Sequence, residues 1–316
     1  MSQPAPFYQD VALGPADGRA CWVTASDGAR LRVGLWPSGD KGTILLFTGR
    51  TEYIEKYGRI AGDLNAMGYA VISIDWRGQG LSDRDLADHD LPDRNTGHID
   101  DFLDYQLDVA AMLDCARAQN LPQPCYLLAH SMGGGIGLRS LMQDLPVKAA
   151  CFSAPMWGIA LAGVMRPVAW STAWLAQSFR QGHRYIPSGK PETYINLAEF
   201  AGNQLTTDPE QFAYMKNQTT THPELALGSP SMTWLYMALI EARDMAANPA
   251  PDVPALTFLG TNERIVDTDP IHERMSGWPR GELVMIDGAE HEVLLETPAK
   301  RDPILTRISD HFGAHP

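Results

Sequence analysis

Residues 125–135 read Cys125-Tyr126-Leu127-Leu128-Ala129-His130-Ser131-Met132-Gly133-Gly134-Gly135. The apolar run Cys125 to Leu128 has the length and character of a strand buried on both faces. The residues after Ser131 open a helix predicted over Met132–Met142, so the serine stands on a sharp strand-to-helix turn. A turn that tight strains the serine backbone and requires small neighbours two positions to either side. Ala129 and Gly133 meet that requirement, although glycine is the usual residue at the first of these positions. Such a turn presents a nucleophilic hydroxyl. It also sets the Met132 amide at a helix N-terminus, where free N–H groups and the helix dipole favour a developing negative oxygen. The same glycines could instead suggest a phosphate loop, but that motif places them before the helix with a lysine or spaced acid, and neither is present.

Outward from this turn, three more short apolar runs match Cys125 to Leu128: Thr43 to Phe47, Ala70 to Ile74 and Ala149 to Phe152. Helical patterns alternate with them at about 57–67, 99–119 and 132–142. Upstream, Cys21 to Thr24 and Leu31 to Trp36 flank Ser26-Asp27-Gly28, a hairpin signal. The alternation stops after Ser153-Ala154-Pro155 and resumes at Val253 to Leu259, followed by a last strand at Glu282 to Ile286 and a last helix at Ala299 to Phe312. The predicted fold is α/β, a mostly parallel central sheet with helices on both faces. Residues 1–154 and 253–316 form its core, and residues 155–252 form an inserted helical cap. The insertion is rich in Trp157, Trp170, Trp174, Phe179, Trp234 and Tyr236, with Met156, Met165, Met215, Met232 and Met237.

The 316 residues carry 25 Lys plus Arg against 38 Asp plus Glu, a net charge of −13. That balance excludes a nucleic-acid binder, which needs basic surface, and anchoring to anionic lipid by charge alone. Cys21, Cys115, Cys125 and Cys151 show no zinc-site spacing, which predicts reduced thiols in a cytoplasmic protein. The N-terminal residues have no basic start and no apolar run of the kind that begins a signal peptide. The uncharged stretch Ala149 to Met165 is too short for a membrane span and is broken by Pro155.

A serine needs a base to take its proton. His291, in Asp287-Gly288-Ala289-Glu290-His291-Glu292, follows the last strand directly, in the kind of loop where such sheets build their sites. His272, His311 and His315 lie in a post-proline segment, the final helix and the tail. The acid that orients the imidazole is expected after the preceding strand, in Gly260-Thr261-Asn262-Glu263-Arg264-Ile265-Val266-Asp267. Glu263 is nearer the strand end and is favoured; Asp267 is the alternative. Glu290 and Glu292 beside His291 do not form the HExxH zinc pattern, and no metal or organic cofactor is expected.

Together these residues resemble the α/β-hydrolase superfamily, and within it the monoacylglycerol lipase and bacterial lysophospholipase branch of the serine aminopeptidase-type family. The resemblance runs from about Leu31 to the C-terminus. It rests on the Ser131 turn, on Asp75-Trp76-Arg77-Gly78-Gln79-Gly80-Leu81-Ser82, on Gly97-His98-Ile99-Asp100-Asp101-Phe102 and on Gly288-Ala289-Glu290-His291. It implies that Phe47 to Tyr53 is an oxyanion loop in which the Arg50 backbone N–H joins the Met132 amide, with Thr48-Gly49 where the branch has His-Gly. It also implies scaffold roles for Asp75 and Arg77 and a capping role for His98. Glu263 and the Gly49-Arg50-Thr51-Glu52 loop are closer to the lysophospholipase side.

The expectation is therefore a serine esterase with Ser131, His291 and Glu263 as its triad, acting on a small amphipathic ester such as a lysophospholipid or monoacylglycerol. The Trp- and Met-rich cap would bury the acyl chain at ~0.8 kcal/mol per methylene. It would also be the part that touches the inner face of a membrane. The alternatives are an aminopeptidase or small-ester carboxylesterase on the same fold, or a non-catalytic binding protein. An aminopeptidase would need acids in the cap to hold a free amine, and Glu192, Glu199, Asp208, Glu210 and Glu224 are the available ones.

Overall fold

A computed structural model describes residues 3–84, 91–160 and 166–316. Met165 of the predicted cap's apolar set lies outside them, as does the end of the uncharged Ala149 to Met165 stretch. Among the described residues nine strands form one sheet: β1 (Gln3–Ala5), β2 (Arg19–Thr24), β3 (Arg30–Trp36), β4 (Thr43–Phe47), β5 (Ala70–Asp75), β6 (Cys125–His130), β7 (Ala150–Ser153), β8 (Ala255–Gly260) and β9 (Gly281–Ile286), in the order β1-β2-β3-β5-β4-β6-β7-β8-β9. The first three pair antiparallel, β3 joins β5 antiparallel, and every pairing from β5 through β9 is parallel. Strands β4 to β8 are buried along their whole length, the consequence of continuous apolar runs covered on both faces.

The helices are α1 (Gln9–Ala12), α2 (Gly58–Ala66), α3 (Asp104–Ala118), α4 (Met132–Met142), α5 (Arg166–Ser178), α6 (Tyr194–Leu197), α7 (Pro209–Thr221), α8 (Met232–Ala246), α9 (Thr268–Ser276) and α10 (Pro298–Gly313). The strand pleat sorts them. Leu45, Phe47, Leu127 and Ala129 share a core with Met112 of α3 and Ile136 of α4. Ile44, Leu46, Tyr126 and Leu128 share the opposite core with Ile60 of α2 and Ile308 of α10. Helices α5 to α8 lie in the chain between β7 and β8. The chain leaves β4 for β5 on one side, then crosses back to β6 on the other. The crevice of an open α/β sheet forms at the carboxyl ends of strands that diverge this way.

Two expectations need correction. The helix predicted from residue 99 begins at Asp104. The preceding residues are committed elsewhere: Gly97 bridges Pro230, and the Asp101 carboxylate accepts from the Leu103 amide. Gln3–Ala5, a segment too short and proline-broken to signal, is a strand on β2. The four cysteines are buried, and the sulfurs of Cys21 and Cys115 lie 3.4 Å apart. Among the described residues no helix is long and apolar enough to cross a membrane.

Candidate active site

Strand β6 delivers its chain to Ser131, whose backbone has φ 50° and ψ −119°. That strain is sustained by surrounding bonds: the Ser131 amide donates to Ser153 O at 3.0 Å, and its carbonyl accepts from Met156 N at 2.7 Å and Gly134 N at 2.8 Å. The small-residue requirement has a direct cause at Gly133, where a Cβ would stand 2.4 Å from Phe47 O and 2.5 Å from Thr48 O. The helix start is pressed onto the end of β4, which brings the nucleophile turn beside the loop that follows β4.

His291 Nε2 lies 2.9 Å from Ser131 Oγ, and His291 Nδ1 lies 2.7 Å from Glu263 Oε2. All three side chains are buried or nearly so. Glu263 also accepts from the amides of Ile265 at 2.6 Å and Val266 at 3.0 Å. Burial opposes its charge, but the imidazole and these amides hold its carboxyl below the usual carboxylate range. Its pairing with Arg264, the alternative surface role, does not occur; Arg264 meets Glu290 instead. Asp267 caps α9 by accepting from Asp269 N at 3.3 Å. Gly260 allows the meeting of the acid and base loops, because a Cβ there would come within 2.3 Å of Ala289 O. The base loop is also strapped to the inserted segment, with His291 N donating to Gln204 O and Glu292 N to Leu205 O.

The amides of Met132 and Arg50 both belong to segments flanking Ser131, and among the described residues neither donates to a protein acceptor. The Arg50 loop is held by the Glu52 carboxylate, which accepts from the Gly49 amide. Of the scaffold residues, Asp75 accepts from Arg32 Nε, Ile54 N and Leu81 N, and Arg77 pairs with Asp108 and Asp27. His98 Nδ1 lies 2.8 Å from Ser231 Oγ, away from the triad.

A buried ionic cluster beneath the site has no counterpart in the sequence reading. Lys56 Nζ contacts Glu52 and lies 2.6 Å from Glu292 Oε1. His130 Nε2 faces Glu292 at 3.3 Å and Glu52 at 3.6 Å, while Tyr57 OH donates to Glu52 at 2.6 Å. His130 Nδ1 lies 3.0 Å from both the carbonyl and the hydroxyl oxygen of Ser153, which leaves Nε2 turned toward the carboxylates, where a second ring proton would carry positive charge. Burial works against that charge, yet Glu292 and Glu52 hold the imidazole above its ordinary range. Conversely, His130 and Lys56 overcome burial and hold Glu292 well below its own. Glu52, His130 and Glu292 could offer metal-ligand atoms within 4.8 Å of one another. Here Lys56 already supplies the cation. Three of its members lie one or two residues from a predicted site residue: His130 precedes Ser131, Glu292 follows His291, and Glu52 is two positions after Arg50. The only sequence sign was charge in a segment after a buried strand.

The triad opens on a cavity of about 540 Å³ lined by Ser131, His291, Arg50, Met156, Met215 and Trp234, among others. The other large apolar groups of the insertion divide between core and surface. Trp157 stacks on Trp278, whereas Trp174 and Phe179 are exposed.

This geometry and topology are those of an α/β-hydrolase-fold protein. Residues 38–298 match the family model described as "Serine aminopeptidase, S33", and the chain belongs to that family. It is 32% identical over 286 residues to lysophospholipase L2 of Escherichia coli K12, covering 86% of this chain and 80% of that one. It is 30% identical over 271 residues to the probable lysophospholipase L2 of Haemophilus influenzae, covering 85% and 82%. A solved structure of a soluble variant of monoglyceride lipase from Saccharomyces cerevisiae, in complex with a substrate analog, superposes with a TM-score of 0.71. Identity there is 22%, over 93% of this chain and 94% of that one.

Proposed function

We propose that this chain hydrolyses carboxylic esters of lipid-like substrates, lysophospholipids or monoacylglycerols, through an acyl-serine. The unbroken relay from Ser131 through His291 to Glu263, opening on an apolar-walled cavity, carries this reading. The lysophospholipase relatives supply the substrate class. Ser131 Oγ attacks the ester carbonyl as His291 Nε2 takes its proton. The imidazolium, stabilised by Glu263, returns the proton to the leaving alcohol, and water then releases the acid by the same path. The amides of Met132 and Arg50 receive the oxyanion; one such donor is typically worth about 10²–10³ in turnover. Residues 155–252 serve as the cap over a core of 1–154 and 253–316. The exposed Trp174 and Leu175 on α5, with Phe179 just past its end, are the face it turns to a lipid surface.

An aminopeptidase reading finds less support. Asp208 caps α7, Glu210 pairs with Arg59, Glu224 accepts from Tyr8 and Glu199 does not line the cavity, leaving Glu192 as the cap acid on it. A fluorophosphonate probe should label Ser131, and the native protein should cleave a lysophospholipid or monoacylglycerol faster than an amino-acid amide. Failure to label, or preference for the amide, refutes the proposal. Glu263→Gln should lower kcat by about 10⁴, far more than Asp267→Asn; the reverse ranking transfers the acid's role to Asp267.

A further inference from the structure

Arg50 lines the cavity with Ser131 and His291, and its charge has no carboxylate partner among the described residues. The side chain is enclosed by protein yet keeps some accessible surface. Its Nη2 donates to the Gly228 carbonyl at 2.5 Å, its guanidinium lies 5.2 Å from the Trp234 ring centroid, and its buried Nε has no partner. A guanidinium carries five donors in a fork suited to phosphate and carboxylate oxygens. Leaving it buried without a counter-ion is costly. Burial lowers its proton affinity to about 10, so it stays charged at neutral pH.

We propose that the Arg50 guanidinium receives the phosphodiester of a lysophospholipid head group, so that this site favours lysophospholipids over neutral monoacylglycerols. The assignment rests on the ester-hydrolase reading above and selects within it. The geometry is economical. In the proposed oxyanion role the backbone amide of Arg50 would meet the reacting carbonyl, and its side chain carries the positive charge one arginine length away. In a lysophospholipid the phosphate lies one glycerol length from the scissile carbonyl. The other cations on the cavity fit less well: Lys56 is held between two carboxylates, and Lys190 is exposed at the rim. A monoacylglycerol would enter the same cavity with a hydroxyl in place of the phosphate and leave the guanidinium unmatched.

The test compares lysophosphatidylcholine and a 1-monoacylglycerol of the same acyl chain, below their micellar concentrations, with native protein, Arg50→Met and Arg50→Lys. The ratio of the two kcat/KM values is the readout, because any loss common to both substrates reports the loop rather than the charge. Arg50→Met should lower the lysophospholipid preference about 10- to 100-fold, chiefly through KM, and Arg50→Lys should restore part of it. An unchanged ratio overturns the assignment. With the native protein, glycerophosphocholine should compete with the substrate and do so better than inorganic phosphate. No competition, or equal competition by inorganic phosphate, also overturns it. A native protein that labels with the probe but cleaves neither lipid ester sinks the substrate reading together with this assignment, whereas cleavage of both with no role for Arg50 sinks this assignment alone.

Discussion

Lys56 and Arg50 arise from one stretch of chain after β4 and both line the cavity at Ser131, yet the protein treats their charges oppositely. Lys56 sits between Glu52 and Glu292, with His130 closing the group. Arg50 meets a carbonyl and an indole face. Burial depresses the proton affinity of both, but around Lys56 the two carboxylates reverse the shift and raise it, while around Arg50 burial prevails. Desolvating an ion costs several kcal/mol, which well-placed counter-charges can offset. The first cation is thus neutralised by the fold and serves the scaffold. The second has no countercharge among the described residues, and under the assignment above the ligand in the cavity supplies it.

The largest expected effect breaks the first half of this contrast. Lys56→Met leaves two buried carboxylates facing each other and should cost about 3–5 kcal/mol of stability, read as a lowered denaturation midpoint at unchanged slope. A loss below ~1 kcal/mol would show the cluster to be far less coupled than its distances indicate. Adding Glu292→Gln to that variant should recover part of the loss, with a coupling energy of about 1–3 kcal/mol in a double-mutant cycle. Strict additivity would separate the two residues energetically.

The next prediction concerns pH. Glu292 has a folded pKa held well below its ordinary 4.5, so its contribution is present above that value and is lost as pH falls through the folded pKa. His130 is raised above 6.5, so its contribution is complete below 6.5 and is lost as pH rises through its folded pKa. Stability should therefore decline on both sides. Glu292→Gln should flatten the acid limb and His130→Gln the alkaline one, as measured by denaturation midpoints across pH. An alkaline limb that survives His130→Gln would remove the imidazolium from the cluster.

Beyond the presence of charge after a buried strand, this cluster was not legible in the sequence, and the reason is physical. Hydrophobic runs and turn chemistry are local, so β4 to β8, the span of α4 and the strained position of Ser131 could be read from short windows. His291 could be placed from the strand that precedes it. The choice between Glu263 and Asp267 needed loop geometry: one carboxylate turns in to His291 while the other caps α9. Charge compensation is a property of tertiary contact. Lys56 and Glu292 are separated by 236 positions, and nothing near Arg50 in the chain announces that its partners would be Gly228 and Trp234. For the same reason the start of α3 was misplaced, because Gly97 is held by Pro230 far along the chain.

The smallest expected effect is the most discriminating for the second half of the contrast. Arg50→Met removes a buried charge that no acid among the described residues balances and replaces it with an apolar chain of similar reach, so stability should change by no more than about 1 kcal/mol, and an increase is as consistent as a small loss. The lost bond to Gly228 and the contact with Trp234 pull one way, and relief from burying an unmatched ion pulls the other. The measurement is the same denaturation midpoint used for Lys56→Met, at one pH and ionic strength. If Arg50→Met costs as much as Lys56→Met, the guanidinium is a structural strut tying the loop after β4 to the segment at Gly228, and the distinction between a satisfied and a waiting cation disappears. If it costs almost nothing while the preference for phosphodiester substrate falls, the arginine's charge is being kept for the ligand.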